Sequence, residues 1–98
     1  MKEDAMSDNN TVTLIRPIVR GKETIDKVTI TEAMGQPGCL RGLKLYDVLQ
    51  SDVDSMFKLL PRVTSPVLTE VELVTMDGRD FTQLTIMAVS FLAPPSAL

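Results

Sequence analysis

The sequence predicts an α+β domain in which an N-terminal β-hairpin packs against three or four short helices. Val, Ile and Thr alternate through residues 11–33, the period-two pattern of strands. After residue 43 the apolar spacing changes to i, i+3, i+4, the face of a helix. Gly and Pro punctuate the chain between these regimes. At 98 residues the chain has room for one domain with a modest core, and its 44% hydrophobic and 23% charged residues are ordinary for a globular protein. Three Phe, one Tyr and no Trp leave aliphatic side chains and six Met to fill the interior.

The elements follow in order. Residues 1–10 are polar and aperiodic, which predicts a disordered tail, and a single domain then covers 11–92. Within it the hairpin occupies 11–33. "TVTLIRPIVR" and "ETIDKVTITEA" are its strands, joined at "RGK". A three-residue loop at Arg20–Lys22 would set Val12 opposite Ile30, Leu14 opposite Val28 and Arg16 opposite Asp26. Pro17 cannot donate to a ladder, so its strand should be an edge or be broken there; strand addition at that edge is one route to oligomers.

"MGQPGCLRG" (34–42) reads as a flexible Gly-rich connector; it lacks the spacing of a phosphate loop or a dinucleotide site. The helical part spans 43–92. A first helix presents Leu45, Val48 and Leu49. A second, capped by Ser51, should bury Val53, Met56, Phe57 and Leu60 and end at Leu60, because Pro61 follows. Thr69 and Glu72 form a capping box for a third helix over roughly 70–76. Asp80 is placed to cap the last helix, Phe81 to about Leu92, which "APPSAL" (93–98, a flexible tail) stops.

Composition excludes much chemistry. There is no His, so Ser-His-Asp and Cys-His systems and His-bearing zinc sites are impossible. Cys39 is alone, which rules out an intrachain disulfide and predicts a reduced, semi-buried thiol. Asp77 with Asp80, or Asp52 with Asp54, could be offered as acid/base pairs, but each set stands where helix caps are expected. Arg41 and Arg62 read as surface ion-pair partners rather than an anion site. The expectation is a protein that is not an enzyme, with no catalytic residues, metal or cofactor.

Charge is unevenly spread. Residues 11–46 hold six basic and three acidic groups, residues 47–80 three basic and seven acidic, and residues 81–98 none of either. The basic part is too dilute and too poor in aromatics to predict nucleic-acid binding. The start lacks the apolar run of a signal peptide, and no stretch supplies the ~20 apolar residues of a membrane span. A soluble, intracellular protein is expected.

The last helix stands apart. Its stripe of Phe81, Leu84, Ala88, Phe91 and Leu92 is accompanied by Ile86, Met87 and Val89 outside the stripe, and no charge marks an outer face. Either the rest of the domain buries it, or another molecule covers it. The candidate partner-binding residues are Met56, Phe57, Phe81, Leu84, Met87, Ala88, Phe91 and Leu92.

Over residues 11–92 the order of features resembles the small tail assembly chaperones of contractile-tailed, Mu-like bacteriophages and their prophages. The resemblance rests on "L-x-x-P" at Leu14–Pro17, "LLPR-x-TSP-x-LT" from Leu59, and "M-D-x-x-D-F" from Met76 into a short helix ending "FL". It implies a non-enzymatic protein of the bacterial cytoplasm, absent from the mature virion, that binds the tape measure protein and promotes tail assembly. It also implies possible contact with the tail tube, a longer frameshifted form of the same chain, or a second copy. The alternative is a small structural tail component that stays in the virion. A third reading is a regulatory adaptor of the host.

Overall fold

The computed structural model describes residues 10–92; the predicted tails at 1–10 and 93–98 lie outside the described residues except for Asn10, whose carbonyl accepts from the Ile30 amide at 2.8 Å. Strand β1 (Thr11–Arg20) and strand β2 (Glu23–Ile30) form the hairpin. One-turn 3₁₀ helices at Glu32–Gly35 and Pro37–Leu40 follow, then α1 (Leu45–Leu49), α2 (Val53–Val63), β3 (Thr64–Ser65), α3 (Glu70–Thr75) and α4 (Gly78–Ser90). The α+β class stands, with four α-helices behind the hairpin. The hairpin is enlarged to a three-stranded antiparallel sheet, ordered β1-β2-β3.

The expected register is wrong, and Pro17 is the reason. The turn has two residues, Gly21 and Lys22, because Arg20 pairs with Glu23. Gly21 takes φ +61°, a left-handed conformation that favours glycine. From that turn the ladder runs to Ile18↔Ile25, then resumes at Thr13↔Lys27 and Val12↔Val28. Four residues of β1 (14–17) thus face only Asp26 of β2, a bulge of three extra residues. Arg16 lies in that bulge and does not pair with Asp26. The bulge restores the face that a regular two-residue hairpin would have lost, so Val12, Leu14, Val28 and Ile30 all point inward.

Strand β3 went unpredicted because two residues show no period. It completes the sheet by pairing Ser65 with Thr29 and Thr64 with Ile30, and the Thr31 amide donates to the Val63 carbonyl at 2.7 Å. The Ser65–Pro66 peptide is cis.

Helix boundaries bring further corrections. Asp52, not Ser51, caps α2 by accepting from the Ser55 amide at 3.0 Å, while Ser51 takes a positive φ of 63°. Helix α2 also runs through Pro61 to Val63. Proline removes only the bond to the Phe57 carbonyl. Burial of Leu59, Leu60 and Val63 holds the last turn, and the Thr64 hydroxyl donates to the Leu60 carbonyl at 2.8 Å. The Thr69/Glu72 capping box is formed in both directions, as the sequence predicts.

In the connector, Met34 and Cys39 are buried, and Arg62 donates to the Cys39 and Arg41 carbonyls at 2.8 and 2.7 Å. That segment is pinned to α2 rather than free, and Arg62 is a carbonyl cap rather than an ion-pair partner. In α1 only Val48 is buried, and Leu45 and Leu49 are exposed.

Candidate partner-binding surface

Helix α4 lies against the sheet and is fixed there by its first turn. Asp77 is its N-cap, accepting from the Arg79 amide at 2.9 Å. Asp80, expected to be the cap, is instead buried, and its two oxygens accept the Ile15 and Arg16 amides of the β1 bulge at 2.7 and 3.0 Å. The second carboxylate therefore binds backbone instead of joining Asp77.

The candidate residues divide by depth. Met56, Leu84 and Ala88 have no exposed surface and belong to the core in this conformation. Phe57, Phe81, Met87, Phe91 and Leu92 pack against that core but keep part of their surface. Phe57 and Phe81 stack at 5.3 Å between ring centroids with a 52° tilt, a favourable aromatic geometry that ties α2 to α4. The domain itself thus covers one side of α4, which carries no charge after Asp80. Its exposed side carries Ile86, 57% exposed, among Thr82, Gln83 and Ser90, while Phe81, Phe91 and Leu92 stay on the core-facing stripe and Met87 flanks it.

Two apolar surfaces escaped the sequence reading in part. Val53, expected in the core, is 51% exposed and joins Ile86 in an open pocket of about 200 Å³. Ser51, Phe81, Thr82 and Thr85 complete its wall. The position of Ile86 outside the core-facing stripe was the signal for it. Elsewhere, Val67 just before α3 and Val71 and Val74 within it are all exposed, spaced i, i+4, i+7. Val71 borders a groove of about 340 Å³ with Arg16, Pro17, Ile18 and Val19 of β1. The spacing of those valines was legible but went unused.

Charged groups serve structure. Arg20 grips Glu72 through two bonds, Nη2–Oε1 at 2.7 Å and Nε–Oε2 at 2.9 Å, and also donates to the Val67 carbonyl. That guanidinium holds the Glu72 carboxyl well below its usual range, at about 2. Arg79 does the same for Asp77, also at about 2. Burial pushes the Cys39 thiol up, away from reactivity. Among the described residues no three His, Cys, Asp or Glu side chains come together to hold a metal ion. Among them, too, no helix is long and apolar enough to cross a membrane. What this arrangement offers is apolar contact surface on rigid elements.

Comparison with known proteins gives consistent matches. A family model described as "Phage tail assembly chaperone proteins, E, or 41 or 14" matches residues 11–93. Tail assembly protein E of Escherichia phage P2 is 40% identical over 91 residues, which cover 93% of this chain and 98% of that protein. Tail assembly protein E′ of the same phage is 39% identical over 87 residues, 89% of this chain but only 60% of the longer relative. No solved structure matches the chain.

Proposed function

This chain belongs to the family of phage tail assembly chaperone proteins, and from that premise we propose that it binds the tape measure protein, keeps it soluble and helps tail subunits gather around it. Membership gives a role in tail assembly; the partner is our reading. One observation supports it most: α4 carries no charge after Asp80, keeps Phe81 and Met87 only half-buried and exposes Ile86, and half-buried Phe91 and Leu92 follow just past its end. An adaptable apolar face of this kind suits a helical partner laid along it.

The function needs no catalytic residue. Phe57 supports the same face from α2, with Met56, Leu84 and Ala88 as the packed layer beneath. The pairing of a short and a longer protein in phage P2 supports a longer form of this chain as a second partner, alongside the tail tube or another copy. In this reading the protein acts in the host cytoplasm and leaves before the virion matures.

Co-expression tests the proposal. The tape measure protein should stay in the soluble fraction only when this chain is present, and purified particles should lack the chain by mass spectrometry. Stoichiometric recovery of the chain from particles would instead favour a structural tail component.

A further inference from the structure

We propose that the pocket between the start of α2 and the outer side of α4 receives an aliphatic side chain from a basic, amphipathic segment of the partner protein. The inference rests on the chaperone reading and adds the place of contact and the charge of the segment that fits.

The pocket is walled by Val53, Phe81 and Ile86, and its volume of about 200 Å³ has room for a large aliphatic side chain. Thr85 lines it with a defect. Its hydroxyl oxygen is buried without a hydrogen-bond partner, and the residue is only 6% exposed. Thr75 and Thr82 show the usual solution on a helix, donating to the carbonyls of Val71 and Gly78, each at 2.8 Å. Thr85 makes no such bond, so the wall holds an unsatisfied polar group beside apolar contact surface.

The rim selects the charge of that segment. Val53 stands between Asp52 and Asp54, both exposed, and Asp47 lies shortly before them. No Lys or Arg occurs from Asp47 through Phe57, Lys58 stands one turn after Asp54 on α2, and α4 adds no charge from Phe81 onward. Asp52 accepts from the Ser55 amide and hydroxyl through one oxygen, Oδ2, while capping α2. A Lys or Arg near the aliphatic anchor would therefore meet a rim with three acidic groups, Asp47, Asp52 and Asp54, against one basic group, Lys58. The larger groove beside Val19 lacks this feature, because Arg16 lines it and its Glu72 is already taken by Arg20.

The probe is a short amphipathic helical peptide of Leu and Lys, titrated into the isotopically labelled full chain and compared with its Leu/Glu counterpart. The Leu/Lys peptide should produce saturable shifts at the amides of Val53, Thr82, Thr85 and Ile86, and the Leu/Glu peptide should not. Ile86→Lys and Asp54→Lys, both at exposed positions, should each weaken binding about tenfold or more, whereas Val71→Lys should leave it unchanged. Shifts centred on Val19 and Val71, equal binding of the Leu/Glu peptide, unaltered affinity of Ile86→Lys, or no saturable binding would each overturn the proposal. If the two Lys variants still co-purify normally with the tape measure protein, the pocket is wrong and the chaperone reading survives. If the wild-type chain fails to co-purify with it, both fall.

Discussion

The Asp80 carboxylate accepts the backbone amide of Ile15 at 2.7 Å across sixty-five residues of sequence. Its other oxygen takes the Arg16 amide at 3.0 Å, and the side chain is almost wholly buried. These are donors of the bulge that β2 leaves unpaired, next to Pro17, which has none. One side chain from α4 thus completes the edge of the sheet and fixes the helix against it. It also closes the edge: with both amides taken and Pro17 beside them, strand addition across the bulge is blocked.

Removing Asp80 should loosen helix and hairpin together. Asp80→Ala strands two amides and should cost about 2–4 kcal/mol in urea unfolding. Asp80→Asn keeps one acceptor but turns its NH₂ toward the other donor, so it should fall between Ala and wild type. Wild-type stability for the Ala variant would contradict the role assigned to the carboxylate.

Acid should release the Arg20–Glu72 pair. The folded Glu72 carboxyl is depressed from 4.5 to about 2, chiefly by the hydrogen bond from Arg20. The stabilisation is therefore fully present above pH 4.5 and lost as pH falls toward about 2. The stability difference between wild type and Glu72→Gln should shrink across that window. A difference constant from pH 6 down to about 2 would exclude the pair as its source.

Thr64 joins two elements through its hydroxyl, donating to the Leu60 carbonyl and accepting from the Leu68 amide at 3.2 Å, all buried. Thr64→Val keeps the shape and strands both groups. A loss of roughly 1–3 kcal/mol is expected, read from the urea midpoint. A neutral effect would mean that water or a shifted backbone replaces the bonds.

Cys39 should alkylate slowly. Its thiol is buried and its pKa raised, chiefly by desolvation. Labelling with iodoacetamide at pH 8 should proceed far more slowly in the native protein than in urea. Equal rates would show that the segment around Cys39 opens freely.

Local chemistry was legible in the sequence, and long-range chemistry was not. The alternation of Val12 with Leu14 and of Val28 with Ile30, and the Thr69/Glu72 box, each depend on neighbours a few residues away. Asp80 looked like a cap because its true partners, Ile15 and Arg16, lie in another element. The register failed for a related reason: an unbroken ladder was assumed, whereas three extra residues in β1 absorb Pro17. Pro61 shows that burial of Val63 outweighs one lost helical bond. At the candidate surface, the missing charge of α4 was visible, but depth was not. Periodicity alone could not tell that Leu84 and Ala88 would sink into the core while Ile86 and Val53 stayed at the surface.

The central claim is that the apolar face of α4 holds the tape measure protein. The direct measurement is co-purification of that protein with wild type, with Ile86→Asp, and with the double variant Met87→Asp/Phe91→Asp, alongside circular dichroism of each. Wild type should retain the partner, and both variants should lose it while the helical signal persists. Undiminished co-purification by folded variants would contradict the claim.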